Sequence, residues 1–121
     1  MTVENSDVWK AFGRARLCWK DKNDVLKLAR PIHIITAYNP HGRRHLKLYN
    51  WLAHYLLRLY LFSRFPRAKV VEMIGHSECE SWQEVSCAVS GLTLVQALGI
   101  AKLFCQLAIF AINETVEVIP A

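Results

Sequence analysis

Hydrophobic positions along the chain follow two different periods. At residues 32–38, Ile32, Ile34, Ile35 and Thr36 form a β-branched run closed by Asn39-Pro40-His41-Gly42. This predicts a strand with a sharp end, because proline removes a backbone donor and glycine admits positive φ. Over residues 43–62 the period becomes helical. Leu46, Tyr49, Leu52, Ala53, Leu56 and Tyr60 recur on one stripe, and Leu48, Tyr55, Leu59 and Phe62 make a second beside it. The polar face left over is narrow: Arg43, Lys47, His54 and Arg58, with Trp51 among them. So wide an apolar arc implies burial on more than one side. Pro66 forbids simple continuation.

Farther on, residues 69–74 read as a strand and 75–81 as a polar loop. Residues 82–89 read as a second strand, with Val85, Cys87 and Val89 on one side. Gly91 breaks it, and Thr93 caps a helix over 94–106. Two short strands, 108–112 and 115–119, flank Asn113-Glu114 as a hairpin. At the other end, Ser6 or Asp7 caps a short helix through residue 12 that Gly13 stops. Residues 14–20 have strand character around Leu17, Cys18 and Trp19, and 21–24 read as a turn.

From residue 32 the order is strand, helix, strand, strand, helix, strand, which is the ferredoxin-like β-α-β-β-α-β order. The expectation is an α+β protein with one domain over 1–121 and a core over 32–112. Two helices cover one face of a mainly antiparallel sheet. The N-terminal helix and strand and the C-terminal hairpin strand are additions. The first and third core strands are then central neighbours.

The 121 residues are 53% hydrophobic and 21% charged. That is enough to bury a core without disulfides or metal, and it excludes a disordered chain, a collagen and a disulfide-dense scaffold. Cys18, Cys79, Cys87 and Cys105 form no C-x-x-C pair, and the first residues carry no basic and apolar leader. Reduced thiols in a cytoplasmic protein are expected. The apolar stretch 46–62 contains Lys47, His54 and Arg58; the stretch 92–112 contains Gln96, Lys102 and Gln106. A lysine at mid-membrane costs about 2.5–3.5 kcal/mol, so a helix running into a buried strand is expected and no membrane span.

The net charge of +5 is unevenly placed. Residues 1–69 hold fourteen Lys/Arg and four Asp/Glu, while residues 70–121 hold one and six. A basic half is a reason to consider nucleic acid. Against it, the basic residues are spread over several elements, no aromatic pattern of the RNA-binding kind sits on a central strand, and the fold order interleaves the halves.

The run Ile34-Ile35-Thr36-Ala37-Tyr38-Asn39-Pro40-His41-Gly42 resembles the "ITAWNP-x-G" strand end of a bacterial family, DUF3293. The family's later features are matched by Asn50 in the helix, by Trp82-Gln83-Glu84-Val85-Ser86, and by Gln106-Leu107-Ala108-Ile109-Phe110. The resemblance covers residues 32–112 in order, with Tyr38 where Trp is usual and Val85 where Pro is common. It implies no known activity and no catalytic role.

Four constellations carry chemistry. Tyr38, Asn39, Asn50, Glu84, Ser86 and Gln106 stand at strand and helix ends, where amides and a carboxylate can read a small polar ligand or hold the fold together as a network. His41 and His45, with His76 and Cys79, are zinc-ligand types, but the spacing lacks the Glu of H-E-x-x-H and no metal site is assigned. Ser86 or Cys87 with a histidine and Glu84 is a conceivable triad, without a G-x-S-x-G elbow. Lys47, Trp51, Tyr55 and Arg58 on the long helix suit a partner surface, phosphate and base or protein, and a homodimer through this helix is the favoured partner. The leading expectation is a non-enzymatic ligand- or protein-binding or regulatory module, without a cofactor. Nucleic-acid binding by the basic half is the alternative, and a small hydrolase or metal-dependent enzyme the third.

Overall fold

A computed structural model describes residues 24, 25, 27–76 and 83–121. The expected helix over 6–12, the strand over 14–20, most of the 21–24 turn, Cys79 and Trp82 lie outside these residues. In order, the chain forms β1 (Ile32–Thr36), a 3-10 turn (Pro40–Gly42), α1 (Lys47–Arg64), β2 (Lys69–His76), β3 (Gln83–Ser90), α2 (Leu94–Leu103), β4 (Ala108–Ile112) and β5 (Val116–Pro120). This is an α+β architecture. The sheet has five strands in the order β2-β3-β1-β4-β5, and every neighbouring pair is antiparallel.

β1 is buried along its whole length, because both of its faces are covered. Ile35 lies opposite Cys87, which in turn lies opposite Glu72. On this face Ile35, Cys87, Val89 and Ile109 pack with Leu57 and Leu61 of α1 and with Ala97, Ile100 and Ala101 of α2. On the reverse face Ile32, Ile34, Met73, Ala88 and Ile112 pack with Val25, and Leu28 adds to them.

The punctuation behaves locally as its chemistry requires. Gly91 has φ 98°, and a Cβ there would stand 3.4 Å from the Cα of Ala68. Thr93 and Gln96 form a reciprocal capping box: the Gln96 N–H donates to Thr93 Oγ1 at 3.1 Å, and the Thr93 N–H donates to Gln96 Oε1 at 3.0 Å. At the other end of α2, Cys105 is left-handed (φ 57°), the Gln106 N–H reaches Ala101 O at 2.8 Å and the Cys105 N–H reaches Lys102 O at 3.1 Å. These bonds close the helix as a Schellman motif, so it ends before residue 106. The apolar stretch 92–112 is thereby split between α2 and β4. Among the described residues no helix is long and apolar enough to cross a membrane.

The long helix corrects the sequence reading twice. It runs from Lys47 to Arg64 rather than over 43–62, because Asn39 and His41 are left-handed and Arg43 is extended, which delays the helix start. Its inward face is Asn50, His54, Leu57 and Leu61. Leu46, Tyr49, Leu52 and Leu56, expected in the core, are exposed, and His54, expected on the outer face, is buried. With apolar residues almost all the way round, the buried side is set by where Asn50 and His54 find partners.

Candidate functional site

The polar candidates converge at the carboxyl end of β1. There the Thr36 hydroxyl donates to Val85 O at 2.9 Å and accepts from the Tyr38 N–H at 3.1 Å, fastening the strand end to β3. The chain then turns through Asn39, at φ 47° and ψ 59°. Asparagine tolerates this left-handed conformation better than most residues.

Asn39 and Asn50 bind each other. The Asn39 N–H donates to Asn50 Oδ1 at 2.8 Å, and Asn50 Nδ2 donates back to Asn39 Oδ1 at 2.9 Å. Asn39 Oδ1 also accepts from the His45 N–H at 3.0 Å, and Asn39 Nδ2 reaches Glu84 Oε1 at 3.5 Å. On the far side Gln106 Nε2 donates to Tyr38 O at 3.0 Å and to Phe104 O at 3.3 Å. The His41 N–H donates to Cys105 O at 2.7 Å. Four segments are therefore tied at one point: the end of β1, the first turns of α1, the start of β3 and the connection from α2 to β4.

Glu84 is the titratable member. Burial pushes its carboxyl up to about 7, against a lowering by the Asn39 hydrogen bond. Ser86 is buried on the same face of β3 and lies opposite Thr36 and Met73. Tyr38 is half-buried, and its phenol is raised by burial and by the Glu72 and Glu84 carboxylates.

A second polar group, which the sequence reading did not assemble, lies on the helix face of the sheet. His54 Nε2 meets Glu72 Oε2 at 2.9 Å, and Arg58 Nη1 meets the same oxygen at 3.4 Å. The Tyr38 ring stands edge-on to His54 with centroids 6.3 Å apart. Glu72 is the residue that sequence reasoning missed. Its signal was a carboxylate inside an apolar strand at a position whose alternation points toward the helices. His54 had a signal too, since Asn50, His54, Leu57 and Leu61 recur at 4-3-4 spacing.

The remaining candidates separate. His41 is exposed, and His45 stacks on Tyr49 at 4.9 Å while its Nδ1 contacts Arg43 O at 2.6 Å. Cys79 and the His76 side chain are outside the described set, and among the described residues no three metal-ligating side chains gather. Cys87 faces away from Glu84 and Ser86, and burial pushes its thiol up to about 12, which keeps it protonated and non-nucleophilic. Of the partner-surface residues, Lys47, Trp51, Tyr55 and Arg58 are all exposed on α1. Trp51 stacks on Tyr55 with centroids 6.1 Å apart and rings 11° from parallel, and Arg58 leans on Glu72.

These features define an α+β fold in which an amide-and-carboxylate knot fixes a long helix over an antiparallel sheet, with its outer side exposed among the described residues. The chain belongs to the family described as Protein of unknown function (DUF3293), which matches residues 35–109. The matched span begins inside β1 and ends inside β4, so it includes Asn39, Asn50, Glu84 and Gln106. No curated protein matches the chain. No solved structure matches it either.

Proposed function

We propose that the protein is a non-enzymatic binding module whose docking surface is the outward side of α1. The observation that carries this reading is the exposed row Leu48, Leu52, Tyr55, Leu59 and Phe62 along one line of the helix. Monomeric proteins seldom leave apolar patches beyond a few hundred Å² open to water unless something binds there. Asn39, Asn50 and Gln106 use their amides on one another, on the Glu84 carboxylate and on main-chain groups. That supports a role for the knot in presenting the helix rather than in holding a small ligand. We read the four strands β1 to β4 and the two helices as a ferredoxin-like core with β5 appended beyond β4. The order β2-β3-β1-β4 supports this reading.

Site-specific photocrosslinking tests the docking surface. A benzophenone amino acid placed at Tyr55 in cells producing the protein gives discrete protein adducts, and the same probe at Glu117, exposed on the far strand of the sheet, gives none. Absence of adducts at Tyr55, or equal adducts at both positions, overturns the reading.

A further inference from the structure

The outward row of α1 has a spacing of its own. Residues 48, 52, 55, 59 and 62 repeat at intervals of four, three, four and three. This is the spacing of a coiled-coil seam, in which side chains of one helix fill holes of another. The inward row, residues 50, 54, 57 and 61, is already used against the sheet. The helix therefore carries two seams, and the outer one has no partner among the described residues.

The outward face of α1 is also nearly symmetric about its centre. Turned end for end about the midpoint between Tyr55 and Leu56, each residue falls opposite the one whose number completes 111: Leu52 meets Leu59, Tyr55 meets Leu56 and Tyr49 meets Phe62. All six of these side chains are apolar or aromatic and exposed. A surface that matches its own reverse is what an isologous two-fold contact requires.

Size bounds the contact. The six side chains of these pairs are about half exposed. At roughly 150–200 Å² each they offer on the order of 500 Å² per copy, and the flanking Leu48 and Trp51, also exposed, extend the patch toward the about 800 Å² per partner of a standard interface. Trp51 and Tyr55, parallel and offset with centroids 6.1 Å apart, set two aromatic rings of the kind that dominates interface energies beside the axis.

Charge selects the orientation. α1 carries Lys47, Arg58 and Arg64 and no acidic residue. A parallel pair would set each cation against its own copy. The antiparallel pair moves Arg58, already leaning on Glu72, opposite Ala53, and leaves only Lys47 near Arg64 at the solvated ends. Like charges there are screened by salt.

The geometry points to a second copy of this chain as the occupant: two α1 helices pack antiparallel through Tyr49, Leu52, Tyr55, Leu56, Leu59 and Phe62 about a two-fold axis between Tyr55 and Leu56. This rests on the docking reading above and adds the identity of the partner.

Sedimentation equilibrium of the purified full chain tests it. The wild type sediments as a dimer at about 10 μM, and added salt strengthens or spares the association. Leu59→Glu, which leaves the sheet-facing residues intact, weakens the dimer at least 30-fold while the circular dichroism spectrum is retained. The double variant Leu52→Lys/Leu59→Glu sets opposite charges face to face across the axis and recovers the dimer. A monomeric wild type at 100 μM, or a double variant weaker than the single one, overturns the proposal. The photocrosslink at Tyr55 separates the two failures. An adduct of twice the chain mass supports the dimer. An adduct with a different protein, or a bond internal to the chain from α1 to residues 1–23, overturns the dimer. The adduct with a different protein keeps the docking reading, and no adduct at all removes both. Association that depends on co-purified nucleic acid, lost on nuclease treatment and weakened steeply by salt, also overturns the dimer.

Discussion

Asn39 and Asn50 exchange a pair of hydrogen bonds, at 2.8 Å and 2.9 Å, across eleven residues of sequence. One is a left-handed turn residue and the other sits in the first turn of α1, so the pair fixes where the helix starts and which way it faces. Asn50 is buried, and a partner removed there leaves groups that water cannot reach.

Asn50→Ala is therefore expected to cost about 2–4 kcal/mol in urea denaturation, since it unpairs the Asn39 N–H and one lone pair of Asn39 Oδ1. Asn39→Gly keeps the left-handed backbone but loses the amide. Asn39→Ala loses both and is expected to be about 1 kcal/mol less stable than Asn39→Gly. Equal stabilities of the Gly and Ala variants would contradict the role given to the backbone.

Glu84 sets a pH dependence with a definite sign. Its folded carboxyl is raised to about 7 from 4.5, so between these values the unfolded chain gives up the proton and the native one keeps it. The unfolded state binds fewer protons, and stability falls as pH rises through this window, by about 3 kcal/mol in total. Denaturation curves from pH 4 to pH 8 read the effect directly. Glu84→Gln is expected to flatten the curve and to exceed the wild type in stability at pH 8.

His33 acts in the opposite direction. It is buried between Val89 and Ala111 on β1, and burial lowers its pKa below the usual 6.5. Acidification protonates the unfolded imidazole first, so stability is present above pH 6.5 and declines as pH falls below it. His33→Leu is expected to remove this acid limb while leaving the alkaline one that Glu84 produces.

Cys87 is expected to resist iodoacetamide at pH 8 in the native protein and to react fully in denaturant. Its thiol is buried and raised to about 12. Peptide mass mapping follows each cysteine separately, and Cys105, only partly buried, is expected to react ahead of it. Native-state labelling of Cys87 at the rate of a free thiol would remove it from the core.

The elements that local chemistry specifies were legible in the sequence. Ile32 to Thr36 announced β1, Asn39-Pro40 its end, Gly91 a left-handed break, and Thr93 a capped helix. The DUF3293 motifs also led to Asn39, Asn50, Glu84 and Gln106, which do meet in space. The orientation of α1 was not legible, because its apolar residues run almost all the way round and periodicity gives no preferred side. The choice falls to Asn50 and His54, and their partners Asn39 and Glu72 come from elsewhere in the chain. For the same reason Glu72 stayed hidden: its meaning depends on a helix eighteen residues away turning His54 toward it.

Two residues with reversed backbone handedness, His41 and Cys105, are the ones joined by the 2.7 Å bond between the connections at this end of the sheet. Neither connection can flex like a free hinge while the other holds it. The turn that leads into α1 and the turn that closes α2 are consequently held against each other by main-chain bonding, independent of which side chains occupy positions 41 and 105.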